Sequence, residues 1–218
     1  ATQSIGGFTT TGTVSVTKTG GTATLTGNMN AGALTMNGSG GMLNLGAGLT
    51  HTISGTWTRM DGTLNGGSST LRLGGAVSTP GVGGVFVAAS GTVEYYAAFA
   101  QPVAGLTYTN LTLSGSGVKT TTGVTVNGVL SMEGTATASA APTYGAAATL
   151  RYNTDTPRTA GAEWAATFAG AGGVVIANTG AITMNAAKVL GTGAPLTIEN
   201  GASLDTANYQ VTFGGNFV

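Results

Sequence analysis

Along this chain apolar and polar residues alternate in short runs, as in Thr22-Ala-Thr-Leu-Thr26, Val85-Phe-Val87, Leu106-Thr-Tyr108 and Val124-Thr-Val126. A period of two sends successive side chains to opposite faces. Each run therefore predicts a short strand with an apolar row on one side and Thr or Asn on the other. A second set follows the same rule: Leu34-Thr-Met36, Leu71-Arg-Leu73, Leu111-Thr-Leu113, Leu130-Ser-Met132, Ile182-Thr-Met184 and Leu196-Thr-Ile198. The runs return at an interval marked by Gly21, Gly41, Gly62, Gly84, Gly105, Gly123, Gly145, Gly173 and Gly191, spaced 18 to 22 residues apart with one gap of 28 before Gly173. A repeat near twenty residues is the signature of stacked turns. Helical periodicity offers no competition, because the one Ala-rich window, 160–171, is interrupted and flanked by glycines.

Between the runs lie turn residues. Asn37-Gly38, Asn65-Gly66, Asn127-Gly128 and Asn200-Gly201 tolerate positive φ, and Pro80, Pro102, Pro142 and Pro195 stand outside the strands. The pattern predicts an all-β chain: a β-solenoid of about ten turns, two or three strands to a turn, as a single elongated domain over 1–218. Such a stack reaches roughly 50 Å. A β-sandwich or closed barrel also accommodates short strands, but neither has reason to repeat the same corner every twenty residues. The long gap predicts a loop insertion around 151–165 that projects from the coil, carrying Arg151, Asp155, Arg158, Glu163 and Trp164 as a lateral contact.

Composition narrows the function. Charged residues are 6% of the chain and the net charge is zero, so the surface must be clothed by Thr, Ser, Asn and backbone, and self-association meets little repulsion. The seven basic residues are scattered, which argues against nucleic acid, and no apolar run is long enough for a membrane helix. Ala1 to Gly7 show no basic start followed by an apolar run, so an exported chain would be mature or a fragment. Cysteine is absent. No two of Asp61, Glu94, Glu133, Asp155, Glu163, Glu199 and Asp205 are closer than six positions, so no paired-carboxylate or calcium loop is written locally. His51, the single histidine, sits between two threonines and reads as an exposed strand residue rather than a zinc ligand or triad member. No catalytic residue, cofactor or metal site is expected. Trp57, Tyr95, Tyr96, Phe99 and Trp164 are the raw material for a glycan-stacking platform; strand alternation turns one of the paired tyrosines to the core, Trp57 fits core and surface equally, and Trp164 is the better candidate for a contact, against packing of its loop back onto the coil.

The segment Leu106-Thr-Tyr-Thr-Asn-Leu-Thr-Leu-Ser-Gly-Ser-Gly-Val-Lys-Thr120, continued by Val124-Thr-Val-Asn-Gly-Val-Leu130, resembles the repeats of secreted bacterial surface proteins, the autotransporter passengers and haemagglutinin-like adhesins. The stretch 202–218 is similar in style. The resemblance implies a right-handed solenoid outside the cell, at a bacterial surface, with a structural or adhesive role; glycans or cell-surface components are the partners an adhesin implies.

The leading expectation is an extracellular structural subunit that assembles head to tail with copies of itself. Solenoid ends need capping, yet the chain opens with Phe8, Val14 and Val16 and closes with Val211, Phe213, Phe217 and Val218, apolar to its last residue. These seven form the expected self-assembly interface.

Overall fold

A computed structural model describes residues 1–80 and 83–214. The chain is an all-β solenoid of about ten turns, with corresponding strands about 21 residues apart. The stacked strands pair in parallel, and no helix occurs among the described residues. Parallel pairing between successive repeats excludes the sandwich, whose consecutive strands run antiparallel. The chain divides into two compact units, Ala1–Ala97 and Ala98–Val218.

Within the first unit each turn contributes three strands. One face stacks Gln3–Ile5, Gly21–Leu25 and the later parts of Ala33–Asn44 and Trp57–Asn65, ending on Val85–Val87. A second stacks Phe8–Thr9, Met29–Ala31, Ala47–Ile53, Ser68–Leu73 and Thr92–Tyr95. The third runs from Thr13–Val16 through the early parts of Ala33–Asn44 and Trp57–Asn65 to Val77–Ser78. Register follows the apolar parity: Ala31, Ile53, Leu73 and Tyr95 form one inward column, and Ala23, Leu43 and Leu64 another. All seven are buried. Burying a side chain of leucine size contributes about 1.5–3 kcal/mol, so these columns are the main stabilising element. Corners repeat too. Asn44 Oδ1 accepts the Gly46 N–H at 2.8 Å, and one turn later Asn65 Oδ1 accepts the Gly67 N–H at 2.9 Å. Both glycines hold positive φ, 80° and 58°, as this turn requires.

The second unit keeps the same plan. Its main face stacks Asn110–Leu113, Val129–Met132, Thr149–Asn153, Gly173–Ala177 and Leu196–Ile198, with Leu111, Leu130, Leu150, Val174 and Leu196 in one inward column. Short three-rung sheets complete the turns. Gln101–Pro102, Val118–Thr120 and Thr137–Ala138 form one, and Thr107–Tyr108, Thr125–Val126 and Thr143–Tyr144 another. Arg158–Thr159, Ala181–Thr183 and Ser203–Asp205 form a third, and Thr167–Phe168, Lys188–Leu190 and Val211–Phe213 a fourth.

The expected projecting loop at 151–165 is not there. Thr149–Asn153 is a rung of the main face and Arg158–Thr159 starts another sheet. Leu150 pairs with Val174, a step of 24, against 20 for Leu130 to Leu150 and 22 for Val174 to Leu196. The longer turn spends its few extra residues on corners. One corner is closed by Thr154, whose hydroxyl accepts the Thr156 N–H at 3.1 Å.

Candidate functional site

The first described turn offers an uncovered apolar surface. Ile5, Phe8, Val14 and Val16 pair in register with Leu25, Met29, Leu34 and Met36. The inner four are at most 2% exposed, whereas the outer four are half-buried, because a rung covers them from one side only. They line a groove of about 340 Å³ that reaches down to Leu25 and Met29. In the second unit, Val211, Phe213 and Leu204 on the last described rungs are half-buried and Ile198 is 48% exposed. Of the seven expected interface residues, Phe8, Val14, Val16, Val211 and Phe213 therefore lie on such rungs. Phe217 and Val218 lie outside the described residues.

The expected lateral contact is different. Arg151 is partly exposed and pairs with Glu199 at 3.0 Å, and Asp155 is exposed and accepts the Thr156 hydroxyl at 3.1 Å. Glu163 and Trp164, by contrast, are 0% and 1% exposed, so neither meets a neighbouring molecule. They turn inward because the rungs on either side supply partners. Glu163 Oε1 accepts from the Gly161 N–H at 2.7 Å and the Tyr152 hydroxyl at 3.1 Å, with Arg158 at 3.9 Å. Tyr144 donates to the Glu163 carbonyl at 2.6 Å. Arg158 donates to the Ala136 carbonyl at 2.5 Å and lies 5.7 Å from the Tyr152 ring centre. Lys188 donates to the Trp164 carbonyl at 2.6 Å and lies 5.8 Å from the indole. Burial pushes the Tyr144 and Tyr152 phenols well above their usual range and pulls Lys188 down, the last opposed by Glu163. Chemically the cluster is a clamp inside the longest turn: one carboxylate and two cations, held by two phenols and two carbonyls. Lys119 is a further inward lysine, its ammonium 3.3 Å from both the Phe99 carbonyl and Gln101 Oε1, with its pKa lowered by burial. Sequence reasoning missed both lysines. For Lys188 a signal existed, since it shares strand parity with Leu190; for Lys119 the neighbouring Val118 points to the wrong face.

In the first unit His51 is buried, not exposed as expected. Its Nδ1 accepts the Met29 N–H at 3.0 Å, and its Nε2 donates to the Leu45 carbonyl at 2.8 Å. Burial lowers its pKa and keeps it neutral, although the Leu45 contact opposes the shift. Trp57 is also buried, edge-on to Phe86 at 5.6 Å, with Arg59 over its ring at 5.6 Å and bonded to the Gly84 carbonyl. Tyr95 faces the core and Tyr96 lies under Arg72 at 4.7 Å, so both tryptophans and one of the paired tyrosines are lost to any surface platform. Phe99 is 63% exposed.

The acidic residues do not gather. Glu94 pairs with Arg72, Glu199 with Arg151 and Glu163 with Arg158, three separate places on the coil. Among the described residues no group of three His, Asp or Glu side chains is arranged to hold a metal ion. The outward faces carry hydroxyl ladders instead: Ser15, Thr35, Thr58 and Ser78 in register, and Thr107, Thr125 and Thr143 in the second unit. No protein-family model, curated protein or solved structure matches this chain.

Proposed function

We propose that this chain is a structural solenoid module, working outside the cell, that lengthens by stacking the first turn of one copy on the last turn of another. The observation that carries the reading is the register comparison at the first turn, where Ile5, Phe8, Val14 and Val16 are half-buried while their partners one rung inward are sealed. A further parallel rung would complete both their burial and the backbone hydrogen bonding of the edge. The last described rungs bring Leu204, Val211 and Phe213 in the same half-covered state. The two surfaces differ, so each joint leaves a free copy of each behind and growth continues head to tail. A charged fraction of 6% with no net charge leaves little repulsion against the approach of copies.

The test is Val16→Lys and Phe213→Asp in separate proteins, followed by sedimentation and negative-stain electron microscopy across a concentration series. Wild-type protein should form filaments that lengthen with concentration, and each variant should stay short or monomeric while retaining the β-rich circular dichroism of the parent. A wild-type chain that stays monomeric at high concentration, or filaments unimpaired in both variants, overturns the reading.

A further inference from the structure

Four Asn-Gly pairs punctuate the chain, and the fold treats one of them differently. Asn-Gly is the dipeptide most prone to intramolecular amide attack, because glycine places no side chain in the way of its own nitrogen. That attack needs a glycine nitrogen that is not engaged elsewhere. At Asn65-Gly66 the Gly66 N–H donates to the Val87 carbonyl at 2.8 Å, and at Asn127-Gly128 the Gly128 N–H donates to the Thr109 carbonyl at 2.7 Å. Both bonds run between rungs. Gly38 lies inside the strand Ala33–Asn44, buried with its α-carbon pressed against the Lys18 backbone, where an added Cβ would stand 2.1 Å from the carbonyl oxygen. In these three pairs glycine serves close approach between rungs, and none of the three glycines has positive φ.

Asn200-Gly201 occupies an exposed corner instead. The Ala202 N–H closes a turn onto the Glu199 carbonyl at 3.0 Å, which places Asn200 and Gly201 at its two central positions, with Gly201 at φ 84°. Among the described residues the Gly201 N–H has no hydrogen-bond partner, and both residues face solvent.

We propose that Asn200 is a self-modification site, converting through a succinimide to aspartate and isoaspartate, while the other three asparagines are protected by the stacking of the rungs. The Gly201 nitrogen attacks Asn200 Cγ and a new C–N bond forms. The bond from Cγ to the amide nitrogen of Asn200 breaks, and ammonia leaves with the proton that the glycine nitrogen gave up. Water then opens the ring at either carbonyl, giving the aspartyl or the isoaspartyl product. No enzyme and no oxidant is required. The product adds a negative charge at Asn200, next to Glu199 and five residues from Asp205, and the isoaspartyl form lengthens the backbone by one carbon just before the rung Ser203–Asp205.

The test is incubation of the intact protein at mildly alkaline pH, followed by proteolytic peptide mapping with mass spectrometry and isoaspartyl methyltransferase labelling. A parallel sample is held in strong denaturant. In the folded protein, conversion at Asn200 should run about tenfold or more ahead of Asn37, Asn65 and Asn127, since those three must wait for local opening. In denaturant the four sites should converge to similar rates. Equal rates at all four sites in the folded protein, or faster conversion at Asn37, Asn65 or Asn127, overturns the proposal. So does a folded-state rate at Asn200 far below its denatured rate. None of these outcomes depends on whether the protein assembles.

Discussion

The two units admit polar side chains to their interiors on different terms. In the first, the inward groups on the stacked second face are neutral, His51 with both ring nitrogens bonded and Ser69; a buried cation, Arg59, lies over Trp57 and donates to the Gly84 carbonyl, and the carboxylate–guanidinium pair, Arg72 with Glu94 at 2.7 Å, stands on the outside. In the second, the pair itself goes inside: Arg158 and Glu163 have side-chain exposures of 8% and 0%. A carboxylate taken out of water is tolerated only where hydrogen bonds and opposite charge replace the lost solvation. Here they do so incompletely, since Glu163 Oε2, Arg158 Nε and Nη1, and Trp164 Nε1 have no hydrogen-bond partner. The difference teaches that a solenoid interior built as apolar columns takes in cations against carbonyl oxygens, as at Arg59 and Lys119, and takes in a carboxylate where cations and donors gather around it, as at Glu163.

The comparison breaks most sharply at Glu163. Glu163→Gln keeps the shape but leaves Arg158 and Lys188 without their buried counter-charge, and should cost about 3–5 kcal/mol. Urea unfolding of the variant should show the midpoint shift; an unchanged midpoint would mean the clamp contributes nothing.

A middle effect belongs to His51. Its folded pKa lies below the ordinary 6.5, so at pH below that value the unfolded chain binds the proton more readily than the folded one. Stability contributed by neutral His51 is complete above 6.5 and is lost as pH falls toward the folded pKa. Protonation also removes the lone pair that accepts the Met29 N–H. Denaturation midpoints measured from about pH 7 down to about pH 5.5 should therefore decline, and His51→Gln should flatten that slope. A slope that survives the substitution assigns the effect elsewhere.

The smallest effect is expected at the outer pair. Arg72 is more than a third exposed, so Arg72→Ala should cost under about 1 kcal/mol, with the difference shrinking further in high salt. A loss as large as that of Glu163→Gln would erase the distinction between the two sites.

Much of the architecture is legible in the sequence. Alternating runs such as Leu71-Arg-Leu73 fix which side chains face inward, and the return of glycine near every twentieth residue fixes the stacking. The number of strands per turn is not legible, because Ala33–Asn44 and Trp57–Asn65 each run through a corner and serve two faces. His51 is disguised by its threonine neighbours, although its parity with Ile53 puts it on the inward side. The segment 151–165 misleads for a different reason. Its charges look like solvent-facing residues, but Tyr144 and Lys188 reach the cluster from strands before and after it, and a one-dimensional reading has no means of bringing them together with Tyr152, Arg158 and Glu163. Val14 and Phe213, expected at a self-assembly interface from sequence, are half-buried on the first and last described rungs.

The inward turn of the basic residues has a consequence for durability. Proteases of the trypsin type cut after lysine or arginine and must first draw several residues around the target into an extended, solvent-facing strand. This protein offers seven such residues. Arg59, Lys119 and Lys188 are between 0% and 9% exposed, and Arg158 keeps its side chain within the clamp. Each of these four sits on a strand bonded to a neighbouring rung. Digestion at them has to wait until that rung opens, so its rate follows the free energy of local opening rather than the number of cleavable bonds.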